Sequence, residues 1–468
     1  MNQQNRCTFS VDELATIMSQ SNRQSSIHTG TIDFLLSFAG QNAAEKLHTQ
    51  DLSEQNSLTL LSALRQQFSA NEAGALLSLV KLRQRAATKF PDADKLYFVP
   101  EALEQATAWE IAARRAQWIH QHAPPGPILD LGCGIGGDTF ALAHHRQVIA
   151  YERDEVRLRL AQANAHALDL ADRIEFRQAD WLADLQADTL PRAAAAFVDP
   201  ARRINGRRVF SLHQTQPPLA ALITLQQQIP ALCIKVMPSV SDTELPTTCD
   251  VEFISHEKIC KEAVLWFGPL RFTSAKIEKT TEEQMPNVSA PPNPASFVPT
   301  HPARRATVQL NATGWRTITA SGQAPPVGDL HAGQFLHEPD PAVIRAGAFA
   351  ELCIDLNAHL FDPQIAYLVT AQAGTHPLTQ SFELLEVHLF SIKQLNKRLR
   401  ALGIERVELK KRGFPVEPEQ LRSKLKLATK TNQQTQQQSE PNRRQGVILF
   451  TRRGDQRLML IAKRIVNQ

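Results

Sequence analysis

Residues 127–139 read PILDLGCGIGGDT, and this stretch decides the fold of the region around it. An apolar run ends at Asp130, and the glycines that follow allow a tight turn from a strand into a helix. A ligand can approach the backbone closely at Gly132, Gly134 and Gly136, because these residues have no side chain. The same spacing fits the fingerprint of dinucleotide-binding proteins, so the glycines alone leave two cofactor classes open.

Short apolar runs alternate with helix-length segments from this point on, as parallel strands joined by helices require. The predicted parallel strands are Ile128–Leu131, Val148–Tyr151, Ile174–Phe176, Ala195–Val198 and Leu232–Met237. Val251–Ser255 and Ala263–Phe267 follow without room for a crossover helix and predict an antiparallel hairpin. The expected fold class is α/β, with a Rossmann-like sheet of five parallel strands and a terminal antiparallel hairpin. A helical region is expected before this sheet, and a small α+β domain is expected at the C-terminal end.

Acidic residues stand at the ends of the first four predicted strands, where ligands of such sheets bind. Asp130 can receive the methionyl ammonium of S-adenosylmethionine (SAM), and Glu152, 22 residues later, can accept hydrogen bonds from ribose hydroxyls. Asp180 can accept a hydrogen bond from the adenine amino group and has no role in the dinucleotide fingerprint. The sequence therefore predicts SAM, held by six residues: Asp130, Gly132, Gly134, Gly136, Glu152 and Asp180. An NAD-dependent oxidoreductase is the alternative, but the chain offers no candidate proton-transfer residue for it.

Further motifs carry a resemblance to a known family. They are EQAT at 104–107 with Arg114 and Arg115 downstream, DLGCGIGGD, VDPARR, KVMPS at 235–239, KEAVLWFG at 261–268, PDPAVIRAG at 339–347 and KKRGFPVEPEQLRSKLKL at 410–427. The chain resembles bacterial class I SAM-dependent methyltransferases that carry a C-terminal THUMP-like domain and mostly lack a defined substrate. THUMP domains are associated with RNA-modifying enzymes, so the resemblance implies an RNA substrate. It also implies that Glu104, Gln105 and Thr107 close one side of the site.

The segment after the fourth strand, DPARR at 199–203, is expected to face the methyl acceptor. We predict Asp199 and Arg202 as its catalytic residues: the carboxylate accepts a hydrogen bond or proton, and the guanidinium holds a phosphate. Enzymes that methylate exocyclic base nitrogens often have a second proline and an aromatic residue here, and both are absent. In a purely structural interpretation, Pro200 fixes a turn and the arginines pair with nearby carboxylates. Cysteine-based methylation is excluded, because Cys133 lies in the glycine loop.

Charge is distributed unevenly along the 468 residues, although the net charge is only +4. Residues 393–468 hold 19 Lys and Arg against 6 Asp and Glu, a local net charge of +13. Such a module is suited to a polyanion, and Lys410, Lys411 and Arg412 with Arg422, Lys424 and Lys426 are candidate phosphate contacts. The same cations can instead form an ordinary solvated surface.

The expected domain organisation is a helical region, 1–94; a SAM-dependent methyltransferase domain, 95–272; a Pro-rich linker, 273–302; an intermediate ferredoxin-like α+β region, 303–392; and a basic THUMP-like domain, 393–468. In the last two regions, helices are expected at 335–356 and 417–427, and a low-complexity tract is expected at 430–445. In the first region, the basic stretch that contains Arg83 and Lys89 is typical of the solvated face of a helix.

The sequence also excludes several classes of protein. No run approaches the ~20 apolar residues of a membrane helix, and the first residues lack the apolar region of a secretory signal. The six cysteines form no CxxC pair and the histidines no HxH or HExxH group, so neither a disulfide framework nor a metal is expected. A cytoplasmic location follows as the expectation.

The favoured function is a SAM-dependent methyltransferase that modifies a nucleotide in structured RNA, rRNA or tRNA. Two alternatives remain at this point. One is a methyltransferase that acts on a protein or a small molecule. The other is a non-catalytic protein that binds SAM or RNA.

Overall fold

The computed structural model describes residues 29–201, 203–204, 207–209, 211–273, 302–311, 314–427 and 445–465. Arg202, nearly all of the Pro-rich segment expected at 273–302 and nearly all of the tract expected at 430–445 lie outside these ranges. The chain divides into two compact units. The first comprises Met1–Asp250 and Val264–Pro302, and the second comprises Val251–Ala263 and Ala303–Gln468.

The first unit begins with a helical layer, as the sequence predicts. Its helices are α1 (Thr29–Leu36), α2 (Phe38–His48), α3 (Glu54–Leu64) and α4 (Ala70–Ala86). Ser69 and Glu72 form a reciprocal capping box that fixes the start of α4, and Leu76 and Val80 on its buried face are fully enclosed. The same hydrophobic core includes Ile135 of the glycine loop, so the helical layer and the sheet region share one core.

The basic stretch on α4 and after it is not simply a solvated face, so that interpretation is wrong for two of its members. Arg83 is buried, donates to the Leu96 carbonyl oxygen over 2.8 Å and lies over the Tyr97 ring. The Lys89 ammonium donates to the carbonyl oxygens of Leu103 (2.8 Å), Glu104 (3.2 Å) and Ala106 (3.0 Å). A cation at the last carbonyls of a helix satisfies groups that have no partner within the helix.

The remaining helices of the first unit are α5 (Pro100–Gln105), α6 (Trp109–His122), α7 (Gly137–Ala143), α8 (Glu155–Ala167), α9 (Trp181–Gln186) and α10 (Leu219–Gln228). The strands up to residue 267 are β1 (Ile128–Leu131), β2 (Val148–Glu152), β3 (Ile174–Gln178), β4 (Ala195–Val198), β5 (Arg203–Ile204), β6 (Arg207–Arg208), β7 (Leu232–Val236), β8 (Cys249–His256) and β9 (Ile259–Phe267). Every predicted strand is present, within two residues at its ends for the five parallel ones.

The sheet of the first unit has the order β3-β2-β1-β4-β7-β9. Pairs β1–β2, β2–β3, β1–β4 and β4–β7 are all parallel, so these five strands have the predicted direction. Strands β1, β4 and β7 are buried at every residue, which explains why their sequences are apolar except at Asp130 and Lys235. Because the strand order reverses at β1, the carboxyl ends of β1 and β4 border the crevice in which such sheets bind ligands.

The predicted antiparallel hairpin is confirmed and is longer than expected, but it is not terminal, because β10 (Arg304–Gln309) pairs with β8 in parallel. Glu257 and Lys258 form its turn and both have positive φ angles, 52° and 62°. Two consecutive residues in this conformation are typical of the two-residue turns whose twist suits a hairpin.

The second unit contains two sheets. Its later strands are β10 (Arg304–Gln309), β11 (Trp315–Thr319), β12 (Phe335–Pro339), β13 (His359–Leu360), β14 (Leu368–Thr370), β15 (Thr379–Leu389), β16 (Arg406–Lys411), β17 (Gln445–Arg453) and β18 (Gln456–Ile465). Its helices are α11 (Pro341–Ala346), α12 (Phe349–Leu356), α13 (Ile392–Ala401) and α14 (Pro418–Arg422). In the first, β8, β10 and β11 follow the hairpin strand β9 in the order β9-β8-β10-β11, and the second is a separate seven-stranded sheet with the order β13-β14-β12-β15-β18-β17-β16.

The expected division at residue 392 falls inside the larger sheet, because β15 from the earlier region pairs with β18 from the later one. Two helix predictions also need correction. The segment 335–356 begins with strand β12 and continues as two short helices, because Gly347 ends the first helix at a positive φ of 74°. The helix expected at 417–427 ends at Arg422.

Candidate active site

The glycine loop lies between β1 and α7 and opens onto free space. Gly132 and Gly134 have φ angles of 107° and 58°, and a Cβ atom added to either would meet nothing within 4 Å. Gly136 differs from these two, because an added Cβ there would overlap the Phe140 ring at 2.1 Å. Two of the three predicted glycines therefore border open space next to the sheet, and the third lets α7 pack closely against the loop.

Asp130 ends β1 inside the protein, with only 1% of its surface exposed. Its Oδ2 accepts a hydrogen bond of 2.5 Å from the hydroxyl of Thr139, which stands in the first turn of α7. Burial raises the pKa of Asp130 to about 7, and the negative charges of Asp138 and Asp199 act in the same direction. A buried carboxylate of this kind is stabilised in its charged form by a cationic ligand.

Glu152 ends β2 and holds the glycine loop in place. Its Oε2 accepts from the Gly134 N–H over 2.9 Å, and its Oε1 accepts from the backbone N–H groups of Arg153 and Asp154 over 2.8 and 2.9 Å. A carboxylate has about four lone-pair positions, so three of them are engaged and one on Oε2 remains for a ligand hydroxyl.

Asp180 stands one strand further, after β3, and caps α9. Its Oδ1 accepts from the Leu182 N–H over 3.1 Å, and its Oδ2 lies 3.4 Å from the Arg153 guanidinium. The backbone of Arg153 also bonds to Glu152. The two acids predicted to meet the ribose and the adenine are thus linked through one arginine.

Asp199 directly follows β4 and forms an ion pair with Lys235, near the end of the neighbouring strand β7. The Lys235 Nζ lies 2.6 Å from Asp199 Oδ2 and donates to the Thr107 hydroxyl over 2.9 Å. The lysine side chain is 7% exposed and that of Asp199 is 30% exposed. The ammonium is therefore enclosed, whereas the carboxylate faces outward enough to meet a substrate.

The network continues from Thr107 to the glycine loop. The Thr107 hydroxyl donates to Asp138 Oδ2 over 3.0 Å, and the other oxygen of Asp138 is paired with Arg115. The Arg115 guanidinium is buried and lies 4.6 Å from the centre of the Phe197 ring in β4. These contacts join the EQAT segment, α6, the glycine loop, β4 and β7 into one buried polar network.

Asn164 of α8 supports the loop from the other side. Its amide donates to the carbonyl oxygens of Tyr97 (3.1 Å) and Ile135 (3.2 Å), and its Oδ1 accepts from the Tyr97 N–H over 2.7 Å. Together with Lys89 at the end of α5, the Asn164 side chain holds the segment before EQAT against the glycine loop.

The structure thus brings Asp130, Glu152 and Asp199 to the strand ends around the loop, and Asp180 caps the helix after β3. Thr107 joins the network, whereas Glu104 and Gln105 expose their side chains on α5. Arg202 lies outside the described residues. Sequence reasoning missed the roles of Lys235 and Asp138. The signal for Lys235 was a single charged residue within the apolar strand LCIKVM, which requires a partner when it is buried.

Cys133 in the loop is buried, and burial raises the pKa of its thiol well above the ordinary value, as expected for a residue without a nucleophilic role. Within the described ranges, His, Cys, Asp and Glu residues form no group of three or more that could hold a metal ion. In the same ranges, every helix is too short or too polar to cross a membrane.

Three family descriptions match parts of the chain: a domain of unknown function at 28–86, a methyltransferase domain at 124–198 and a THUMP-like domain at 379–464. An uncharacterised S-adenosylmethionine-dependent methyltransferase of Mycobacterium tuberculosis is 28% identical over 362 residues, which cover 75% of this chain and 88% of that protein. The chain is a SAM-dependent methyltransferase with a THUMP-like domain.

Two further similarities concern the fold and one segment of the methyltransferase. A crystal structure of a protein assigned as a methyltransferase from Porphyromonas gingivalis W83 has the same fold, with a TM-score of 0.64 and 18% identity; the match covers 91% of this chain and 97% of that one. An uncharacterised RNA methyltransferase of Parasynechococcus marenigrum is 36% identical over 114 residues, 24% of each chain.

The residues of this methyltransferase suit its cofactor SAM. Side chains at Gly132 and Gly134 would occupy the open space beside the loop, and the buried Asp130 offers a carboxylate to an ammonium group. Glu152 retains one acceptor position for a hydroxyl. These two acceptors therefore suit the ammonium and a ribose hydroxyl of that molecule.

Proposed function

We propose that the enzyme methylates a nucleotide of structured RNA, rRNA or tRNA, in the cytoplasm. The observation that carries the proposal is a THUMP-like domain in the same chain as the methyltransferase domain. The strong positive charge of residues 393–468 supports it, since binding to RNA depends largely on cations that contact phosphates. The segment shared with the RNA methyltransferase of Parasynechococcus marenigrum also favours this substrate class.

Asp130, Glu152 and Asp180, with Gly132, Gly134 and Gly136, form the proposed cofactor-binding set. The bound cofactor supplies an electrophilic methyl group, and the protein must place the acceptor atom in line with it. In this proposal Asp130 binds the ammonium end, Glu152 binds a ribose hydroxyl and Asp180 accepts a hydrogen bond from the adenine amino group. The glycines keep the backbone close to the ligand.

Asp199 is the proposed catalytic residue on the acceptor side. An acceptor nitrogen or oxygen that gains a methyl group loses a proton, and a carboxylate at this position can accept that proton or the hydrogen bond that precedes its loss. Lys235 fixes the orientation of Asp199 over 2.6 Å and is enclosed on its other side by Thr107. Lys235 is therefore a positioning residue, and Arg202 remains a proposal for holding a substrate phosphate.

The experiment that tests the function uses RNA from a strain that lacks the gene. Transfer of labelled methyl from SAM is measured to total RNA from this strain and from its parent. Label that enters only the RNA of the deletion strain supports the proposal and allows the nucleotide to be mapped. No incorporation into either RNA, with SAM binding confirmed by calorimetry, would refute it in favour of a protein or small-molecule acceptor.

A variant at the acceptor side separates catalysis from cofactor binding. Asp199→Asn keeps the size of the side chain but removes its charge. We expect SAM affinity within about threefold of the wild type and a loss of transfer of about 10²-fold or more, as for removal of a general base. Full activity of this variant would remove Asp199 from the catalytic assignment.

A further inference from the structure

The cations of the second unit fall into two classes that the sequence does not distinguish. One class is held by carboxylates and includes Lys410 and Arg412 (by Glu338), Lys411 (by Glu417), Arg422 (by Glu419), Arg398 (by Glu386) and Arg464 (by Glu408). Four of the six phosphate contacts expected from the sequence, Lys410, Lys411, Arg412 and Arg422, therefore already have an anionic partner within the protein.

A second class of cations lies together on one face of α13. Lys393, Lys397 and Arg400 follow one another at helical spacing and are exposed, whereas Leu395 and Leu399 on the opposite face are buried. At 1.5 Å per residue, the row extends for ~10 Å along the helix. Like charges four residues apart disfavour a helix, and an anion bound across the row would relieve this repulsion.

A buried amide completes the arrangement by bringing a fourth cation to this face. Asn396 donates to the Lys424 carbonyl oxygen over 2.9 Å and accepts from the Lys426 N–H over 2.7 Å, so the segment at 424–426 is attached to α13. Lys426 thereby lines a groove of about 560 Å³ together with Ile392, Lys393, Asn396, Lys397 and Arg400.

The charges in this groove are uncompensated within the part of the chain that the structure describes. No Asp or Glu lines the groove, and none lies within ion-pair distance of its four cations there. One apolar side chain, Ile392, is among the lining residues, so the groove offers little to a lipid tail. A groove lined by four cations fits a phosphate backbone, which carries its negative charges at regular intervals.

We propose that the groove of Lys393, Lys397, Arg400 and Lys426 binds the phosphodiester backbone of the RNA substrate. The inference rests on the proposed RNA methyltransferase function and assigns its RNA contact to these residues instead of the paired cations at 410–422. Arg400 can bind one phosphate with two parallel hydrogen bonds, and the lysines act as point charges that attract the neighbouring phosphates of the backbone.

Two triple variants of the full-length protein test this assignment. The groove variant combines Lys397→Gln, Arg400→Gln and Lys426→Gln. The control combines Lys411→Gln, Arg422→Gln and Lys463→Gln, which removes the same charges from the same unit. Lys411 and Arg422 belong to exposed ion pairs whose loss affects folding little. SAM affinity and the melting temperature of both variants should match the wild type.

Binding is measured with end-labelled unfractionated tRNA and total rRNA at several salt concentrations. We expect the groove variant to bind at least ~10-fold more weakly at low salt, with the slope of log K against log[salt] reduced by about 2–3. The control should remain within about threefold of the wild type with an unchanged slope.

Three results would overturn the proposal. They are an equal loss of RNA affinity in both variants, unchanged RNA affinity of the groove variant, and no RNA binding by the wild type. Loss of binding to polyglutamate with unchanged RNA binding would instead assign the groove to an acidic protein. Because these measurements need no methyl transfer, they remain distinct from the labelling experiment, in which the proposed function itself can fail.

Discussion

Asp130→Asn should make SAM binding weaker and independent of pH, and this variant tests the site most directly. The carboxylate is buried, and its pKa is raised to about 7 from 3.8. At one pKa unit per ~1.4 kcal/mol, keeping Asp130 ionised above pH 7 costs the free protein roughly 4 kcal/mol. A ligand ammonium that needs the ionised form therefore binds better as pH rises.

The expected pH dependence follows from the ionised fraction of Asp130 in the free protein. With a pKa of about 7, this fraction rises about tenfold from pH 6 to pH 8 and about tenfold again from pH 5 to pH 6. We expect the association constant for SAM to rise accordingly and to level off above pH 8. In Asp130→Asn the profile should be flat, with affinity at pH 8 lower by ~10–100-fold, the range for a hydrogen bond to a charged group.

The free energy of unfolding should fall as the pH rises, whereas the affinity for SAM should increase. Because the pKa of Asp130 is higher in the folded than in the unfolded state, its contribution to the free energy of unfolding falls from pH 4 to pH 7 and stays low above pH 7. Asparagine does not ionise, so the melting temperature of Asp130→Asn at pH 8 should equal or exceed that of the wild type.

Isothermal titration calorimetry between pH 5 and pH 8.5, with thermal unfolding at each pH, provides both measurements. Glu152→Gln is the matched control, since it alters the same site but keeps Asp130. The SAM affinity of this variant should still rise with pH as in the wild type. A flat profile for the wild type, or a slope that survives in Asp130→Asn, would refute this account of the site.

Three further substitutions test the surrounding network. Lys235→Met removes the cation that positions the carboxylate of Asp199, so single-turnover methyl transfer to deletion-strain RNA should fall by about 10²-fold. SAM affinity should change less than about threefold. Unchanged methyl transfer would contradict the positioning role of Lys235. Gly134→Ala should weaken SAM binding more than ~10-fold by filling the open space, whereas Gly322→Ala, with a similar positive φ, should leave calorimetric affinity unaltered. Asn164→Ala should lower the free energy of unfolding by ~2–4 kcal/mol, and exposed Gln162→Ala by less than ~0.5 kcal/mol, in chemical denaturation.

The middle of the sheet could be predicted from the sequence because β1, β4 and β7 are buried on both faces. Ile128–Leu131 and Ala195–Val198 are apolar or small at nearly every position, and their predicted ends are the observed ones. Length and flanking turns then separate strands from helices. The segment 335–356 was predicted as one helix although Pro339, Asp340 and Pro341 mark a helix start inside it, so strand β12 before them was missed. Only the positive φ of Gly347 shows where the first helix ends.

The candidate site was predictable where a residue type indicates its own role. An acid at a strand end or a glycine in a turn can be recognised singly. The pairing of Lys235 with Asp199 and Thr107 cannot, because these residues are brought together only when β7, β4 and the EQAT segment meet in three dimensions. For the same reason, the sequence did not show which cations at 393–426 are neutralised by carboxylates and which remain available.

The single core shared by α4 and the glycine loop has a consequence for how this enzyme can be dissected. A fragment that starts at residue 95 would remove the partners of Ile135 and of Val156 on α8 and would leave apolar surface facing water. It would also lose Lys89, which closes the end of α5 just before Thr107. We therefore expect the smallest portion that retains cofactor binding to include the helices from residue 29 onward, so residues 29–94 are part of the catalytic body.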